Sequence, residues 1–225
     1  MMSDLAAIRS VQVAAWGTDG AAEEATYATR LEVFPEGVLV AEEAGRVVGV
    51  FSCLIIGGYD LAKPIATWAE ATAGGLLRGM HDMNGETVYG IDLATIPESA
   101  GAGTALMVAN FENVVALDKR RVIAGAQLGE YAKHAHRLSL DTYLRTRVVD
   151  GEERADAPWT ATTLMGRDGW EYLDGELDWM TSRYFLGHTH SVHAPLPDYF
   201  PADSRSHGHA ALLCWENPQY GGVML

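Results

Sequence analysis

Cysteine is scarce. The 225 residues contain two, Cys53 and Cys214, and both lie in apolar, strand-like surroundings. That suits small buried hydrophobes in a reducing compartment and argues against a disulfide-stapled secreted domain. Long hydrophobic runs are lacking as well, since no apolar stretch approaches the roughly 20 residues of a membrane span. The opening Met-Met-Ser-Asp-Leu has no basic region followed by an apolar block, so no secretory leader is expected and a cytoplasmic location is. Cations are few: 16 Lys and Arg face 30 Asp and Glu, for a formal net charge of −14. Such a balance argues against nucleic acid or an anionic membrane surface as a partner. It is compatible with a cationic substrate such as a small-molecule amine.

What is present is ordinary for a globular chain: 48% apolar and 20% charged residues, enough to bury a core. A single domain spanning residues 1–225 is expected, with residues 59–87 and 152–182 as ordered excursions. Its centre is the stretch Val88–Arg120. Tyr89, Ile91, Leu93 and Thr95 fall at alternate positions of a β-rich segment that stops at Pro97. Small residues follow, from Ala100 to Gly103. From Thr104 onward Leu106, Met107, Phe111, Val114, Val115 and Leu117 recur at helical spacing. A loop that opens a helix in this way presents free N–H groups and the positive end of the helix dipole to an anion such as phosphate. A Gly-x-Gly also serves simply to permit a tight turn, and that reading stays open.

Around this centre the spacing predicts a helix over 4–16 capped by Ser3 or Asp4, broken at Gly17–Gly20, and a second over 21–33. Val38–Ala41 and Val47–Phe51 read as a hairpin about the turn Glu43-Ala44-Gly45-Arg46. A short helical turn is expected near Thr67–Ala71. Arg121–Ala126 reads as a strand, which with the central strand and helix would make a parallel βαβ unit. Ser139 caps a helix expected to run to Val149, and Tyr184–Leu186, His190–His193 and His209–Trp215 read as strands. Pro195–Ser206 is expected to be an irregular linker and Glu216–Leu225 a tail.

The segment Thr95-Ile96-Pro97-Glu98-Ser99-Ala100-Gly101-Ala102-Gly103-Thr104-Ala105 resembles the strand-end and glycine loop of the GNAT superfamily of acyl-CoA-dependent N-acyltransferases. Phe34-Pro35-Glu36-Gly37, followed by the Gly45–Gly49 hairpin, is similar to that family's N-terminal half. Thr67–Glu70, His81–Gly85, Tyr89–Asp92, Ala124–Tyr131, Asp198–Phe200 and Leu212–Pro218 resemble a bacterial subgroup in which the domain can be joined to a nitrilase-like carbon–nitrogen hydrolase. The resemblance implies an α+β GNAT fold, a central mixed and mostly antiparallel sheet with helices on both faces. It also implies acetyl-CoA or another acyl-CoA as co-substrate. Backbone groups of Leu93, Ala94 and Thr95 would hold the pantetheine and thioester, and Gly101, Ala102, Gly103, Thr104 and Ala105 the pyrophosphate. A homodimer and an association with a carbon–nitrogen hydrolase stay open.

Ala100 stands where the family has Arg or Gln, and Glu98 adds a negative charge. Three readings follow: weaker CoA binding, compensation by Lys119, Arg120 or Arg121, or a fold turned to chemistry without acyl-CoA. Acyl transfer to an amine needs a base for the ammonium proton and an acid for the departing thiolate. Asp92 and Tyr89 are the candidates for the base, on opposite strand faces unless a bulge intervenes, with one of them facing the cleft. Each has a plainer reading, Tyr89 as a core aromatic above all. Tyr131 is the candidate acid. Five of the eight histidines, His188, His190, His193, His207 and His209, lie close in sequence. They are read as polar residues at strand ends, with convergence on a metal as the alternative. His134 and His136 are expected to be solvated.

Overall fold

The strongest local signal, the Glu43–Arg46 turn, forms as a two-residue hairpin. Ala44 and Gly45 have φ of 50° and 78° in the computed structural model of the chain, the left-handed pair whose twist matches that of the flanking strands. The structure describes residues 4–155, 169–182, 184–185, 188–189 and 191–222. The chain divides into two units. One comprises Met1–Tyr59, Ala69–Val122 and Asn217–Leu225, the other Asp60–Trp68 and Ile123–Glu216.

In the first unit α1 (Leu5–Gly20) continues through the expected break, with Gly17 kinked at φ 74°, and α2 (Glu24–Val33) follows. β1 (Val38–Glu43) and β2 (Arg46–Ile56) pair antiparallel. After a short α3 (Trp68–Thr72), β3 (Thr87–Thr95) pairs antiparallel with β2, and α4 (Ala102–Ala116) comes next. One face of β2 and β3 meets α1 and α2: Ile8, Val11, Tyr27, Leu31, Val48, Val50 and Ala94 share a buried cluster. α4 lies on the other face, so close at Gly49 that a Cβ there would come within 2.9 Å of the Leu106 side chain. Residues 217–221 are tied down rather than part of a free tail. Asn217 donates to the Lys119 carbonyl at 2.8 Å, Tyr220 donates to Glu86 at 2.8 Å, and the Gly221 amide donates to Asp118 at 3.0 Å.

The second unit takes in most of β4 (Arg121–Gln127), then α5 (Tyr131–His134) and α6 (Leu140–Arg145). Ser139 caps α6 as expected, accepting from the Thr142 amide at 3.2 Å. The helix ends earlier than Val149, however, because Thr146 turns extended and the β-branched Val148 and Val149 enter a strand. That strand, β5 (Arg147–Val149), lies between β6 (Glu152–Arg154) and β7 (Trp170–Tyr172). Arg147 packs its guanidinium on Trp170 and Tyr172, 4.7 and 3.9 Å from the ring centres. Helix α7 (Gly175–Thr181) follows, then the two-residue pair β8 (Tyr184–Phe185) and β9 (His188–Thr189), and the antiparallel pair β10 (Ser191–Leu196) and β11 (Ala210–Glu216). Pro195 therefore lies in a strand rather than a linker. In the order β4-β11-β10 it occupies an edge, where its missing N–H leaves no ladder bond unmade. Leu186, His190 and residues 156–168 of the acidic excursion lie outside the described residues. Among those described, no helix is long and apolar enough to cross a membrane.

Both cysteines are buried free thiols. In the second unit the fully buried Tyr199 ring rests on Gly125 of β4, where an added Cβ would meet the ring at 2.3 Å. Gly125→Ala is accordingly expected to cost about 1–3 kcal/mol, read as a lower urea midpoint with unchanged slope.

Candidate functional site

The loop from Pro97 to Gly101 delivers the chain into α4 with little side-chain help. Gly101 takes φ 94° as N-cap and no side chain caps the helix. The Ala102 amide bonds the Ser99 carbonyl and the Ala105 amide the Gly101 carbonyl. The Gly103 and Thr104 amides, in the first turn, have no intrahelical acceptor to reach. No acidic residue occupies that turn, so the positive end of the dipole is not cancelled within the helix. Glu98 and Ala100 are exposed. Two of the cations considered as substitutes for an arginine at Ala100 are engaged elsewhere. Lys119 donates to the Met83 carbonyl at 2.7 Å, and Arg121 reaches Thr87 at 3.0 Å and the Tyr59 carbonyl at 2.7 Å. The head of α4 thus presents backbone amides and the positive end of its dipole.

Leu93, Ala94 and Thr95 sit on β3 opposite Phe51, Val50 and Gly49. Further along the same strand a bulge does intervene. Ser52 pairs with Asp92 and Cys53 with Gly90, leaving Ile91 as the extra residue. Tyr89 lies opposite Leu54, two residues from Ser52 on β2, so Tyr89 and Asp92 share one face instead of opposing each other. It is the face toward α1 and α2. Tyr89 is 1% exposed, and its hydroxyl meets no hydrogen-bond partner among the described residues.

Asp92 is occupied. Its Oδ2 accepts from Arg30 Nη1 at 2.6 Å, and its Oδ1 accepts from Ser52 Oγ at 2.7 Å and Tyr27 OH at 3.0 Å. Arg30 also donates from Nη1 to Ser52 Oγ at 2.8 Å and from Nε to the Gly75 carbonyl at 2.8 Å. Gln12 donates to Tyr27 OH at 2.9 Å. The Arg30 side chain is 1% exposed and that of Asp92 13%. Burial works against the guanidinium charge, but the Asp92 carboxylate more than offsets it, so Arg30 holds its proton more firmly than usual. Burial, and then the same carboxylate, raise Tyr27 well above the ordinary phenol range and push the Cys53 thiol up to about 12. With three donors on its carboxylate, Asp92 is arranged as an internal counter-ion rather than as a base awaiting a proton.

The second unit holds a cluster that the linear sequence does not suggest. Asp174, 1% exposed, caps α7 by accepting from the Leu177 amide at 2.9 Å. Its other oxygen accepts from Tyr143 OH at 2.8 Å and the Glu130 amide at 3.0 Å. Glu176, in the first turn of α7, lies over Gly129, whose Cβ, if present, would be 3.0 Å from Glu176 Oε2. Burial, with the neighbouring Asp174 and Asp203 charges and against the pull of Arg205, raises the Glu176 carboxyl to about 7. Tyr131 opens α5 two residues beyond Gly129. It is buried, donates to the Leu138 carbonyl at 3.3 Å, and packs on Tyr143, His207 and His209. Burial raises its hydroxyl above the ordinary value.

His209 Nδ1 accepts from the Asp198 amide at 3.0 Å, and His134 contacts Arg137 at 2.6 Å. Among the described residues no group of three or more His, Cys, Asp or Glu is arranged to hold a metal ion. His190 and the side chain of His188 lie outside the described residues.

No family model matches the chain. A solved structure of the GNAT-like decarboxylase GphF, in complex with isobutyryl-CoA, superposes with a TM-score of 0.68 at 21% identity, covering 96% of both chains. The chain has the GNAT fold. In sequence it is 31% identical over 128 residues to the uncharacterized N-acetyltransferase YkwB of Bacillus subtilis, 56% of this chain and 55% of that protein. It is 25% identical over 198 residues to the probable hydrolase YhcX of the same organism, 85% of this chain and 33% of that protein. The chain thus spans about half the length of the first relative and a third of the second. The GNAT fold accounts for the α+β class and the strand–loop–helix at the centre of the sequence.

Two outcomes are expected. Arg30→Met or Asp92→Leu alone strands a buried charge and costs about 3–5 kcal/mol, while the double variant costs far less than the sum, as a urea double-mutant cycle would read. For Glu176 the folded carboxyl binds its proton more tightly than the unfolded one. Its favourable contribution is therefore complete below the ordinary carboxylate range and is lost as pH rises toward and through 7. Glu176→Gln removes this dependence, raising stability at pH 8 by on the order of 2–3 kcal/mol with little change at pH 4. Thermal melts across that range check it.

Proposed function

We propose that the chain is an acyl-CoA-dependent N-acyltransferase, working as one GNAT-like domain, that moves an acetyl or other acyl group to the amine of a small molecule by direct attack. The observation that carries this reading is the backbone turn at the head of α4, with Gly101 in the left-handed region and the Gly103 and Thr104 amides in a first turn that offers them no intrahelical acceptor. Such a turn suits a pyrophosphate. The isobutyryl-CoA bound by GphF and the N-acetyltransferase name of YkwB support the same donor class and reaction.

The proposed division of labour follows the chemistry. The α4 head, with Gly101, Ala102, Gly103, Thr104 and Ala105, takes the pyrophosphate, and the backbone of Leu93–Thr95 takes the pantetheine arm. A general base takes a proton from the acceptor ammonium. The free amine then forms a C–N bond to the thioester carbon as the C–S bond breaks; Tyr131, the candidate acid, gives its proton to the departing sulfur, and the extra proton on the new amide nitrogen restores the phenol. Tyr89 and Asp92 are proposed as framework, one buried in the core and the other paired with Arg30. The acidic chain, with its net charge of −14, favours a cationic acceptor over an anionic one. No metal enters this scheme.

One observation favours a second reading. The GphF structure, matched over 96% of both chains, is a decarboxylase. In that reading a carboxylated acyl-CoA loses CO2 and its α-carbon gains a proton. Mass spectrometry after incubation with malonyl-CoA or methylmalonyl-CoA separates the two, since the acyltransferase leaves these substrates unshortened when no amine is present.

Calorimetry with acetyl-CoA and longer acyl-CoAs is expected to show one binding site per chain, and absence of binding at millimolar ligand overturns the proposal. Ala100→Arg, which supplies a charge-assisted contact, should tighten binding by about ten-fold or more. The gain should shrink with added salt.

A further inference from the structure

Arg30 is an expensive residue to place where it lies, fully buried on α2 beneath the β2–β3 pair. A buried guanidinium needs an anion with good geometry, and the Asp92 carboxylate supplies it at 2.6 Å. Asp92 shares that face with Ala94 by ordinary alternation, Asp92 opposite Ser52 and Ala94 opposite Val50, and the extra residue Ile91 brings Tyr89 to the same face. The charge pair therefore sits at the boundary where the bulge ends and the regular register of Asp92–Thr95 begins. Ser52 reinforces the arrangement from the directly opposite position on β2, donating to Asp92 at 2.7 Å and accepting from Arg30 at 2.8 Å.

We propose that the Arg30–Asp92 pair, with Ser52, is a register lock that holds the Ile91 bulge, and that it thereby sets the phase of the Leu93–Thr95 backbone on which acyl-CoA is placed. In an antiparallel pair, successive residues direct their N–H and C=O groups alternately toward and away from the neighbouring strand. The pairing of Asp92 with Ser52, just past the bulge, determines which of Leu93, Ala94 and Thr95 face away from β2. Removal of the lock permits β3 to slip or the bulge to migrate, which inverts that phase without removing any group that touches the ligand. Arg30 and Asp92 are thus positioning residues. The ligand half of this inference rests on the acyl-CoA reading, whereas the register half does not.

The test pairs one structural and one binding measurement on the full chain. In Arg30→Met/Asp92→Leu, where no buried charge is left stranded, the cross-strand contact between residues 52 and 92 seen by NMR is expected to be lost or shifted. The Gly90–Leu93 amides should exchange at least ten-fold faster while Val38–Ala41 keep their protection. The dissociation constant for acetyl-CoA, measured by calorimetry, should rise at least ten-fold. Retention of the 52–92 contact with wild-type exchange overturns the lock. A lost contact with unchanged acetyl-CoA affinity overturns its link to the ligand. If wild-type protein itself does not bind acetyl-CoA, the donor reading fails, and the NMR result alone decides the register half. Should the double variant not fold, Ser52→Ala replaces it. It removes one donor to Asp92, and it should accelerate exchange at Gly90–Leu93 about three-fold or more, with unchanged exchange counting against the lock.

Discussion

A buried ion pair governs the first unit. Arg30 and Asp92 lie 2.6 Å apart in a setting that leaves the guanidinium side chain 1% exposed. Moving both charges out of water costs several kcal/mol each, and Coulomb attraction repays that only when the remaining donors and acceptors are also satisfied. Here they are supplied by Ser52 on β2, by the hydroxyl of Tyr27 on α2, held in turn by Gln12 on α1, by the Gly75 carbonyl, and by the face of the same Tyr27 ring, 4.6 Å from the guanidinium carbon. The pair is therefore poor evidence of net stability and good evidence of specificity. It links α1, α2, β2, β3 and the turn after α3 in an arrangement that tolerates no one-residue shift.

That constraint explains where reading the sequence succeeded and where it did not. The hairpin about Ala44-Gly45, the strand–loop–helix from Thr87 to Ala116, and the Ser139 cap were legible because each depends on neighbours within a few residues. The placement of Tyr89 and Asp92 was legible only up to parity. Period-2 alternation puts residues three apart on opposite faces, and one inserted residue, Ile91, reverses the result. The charge of Asp92 inside the strand has a partner, which lies 62 residues away on a helix. The helix expected from Ser139 to Val149 failed for a related reason. Its apolar spacing fitted a helical period, while the pairing of Arg147–Val149 with two other strands decided the outcome.

Glu176 was invisible for a deeper reason. Nothing about an acidic residue in an acidic, aromatic segment marks it out. Its environment is built by Gly129 from the end of β4, by Asp174 at the head of its own helix, and by Asp203 and Arg205 from the loop before β11. Asp174 is fully engaged with the Leu177 amide, the Glu130 amide and Tyr143, so it does not turn away to relieve the repulsion. A carboxyl held in that company destabilises the fold above neutral pH, and groups of that kind concentrate where chemistry needs them.

On the proposed reading, the head of α4 is where an acidic chain still presents an anion site. The net charge of −14 acts over distances comparable to the Debye length of about 8 Å at physiological salt, whereas backbone N–H groups act at hydrogen-bond distance. Ala100 and Glu98 remove side-chain attraction and leave the Gly101 turn and the first amides of α4 to discriminate by shape. Lys119 and Arg121 do not restore the lost charge, because they hold the Met83 carbonyl and the Thr87–Tyr59 region. A cradle of this kind gains little from long-range steering and depends on the geometry of its backbone. The demand for correct backbone phase thus extends from the cradle to the adjoining strand. There, with no cation at position 100, the position of each N–H and C=O on Leu93–Thr95 would matter more to a bound acyl-CoA, and the buried Arg30–Asp92 pair is the feature proposed to keep them in place.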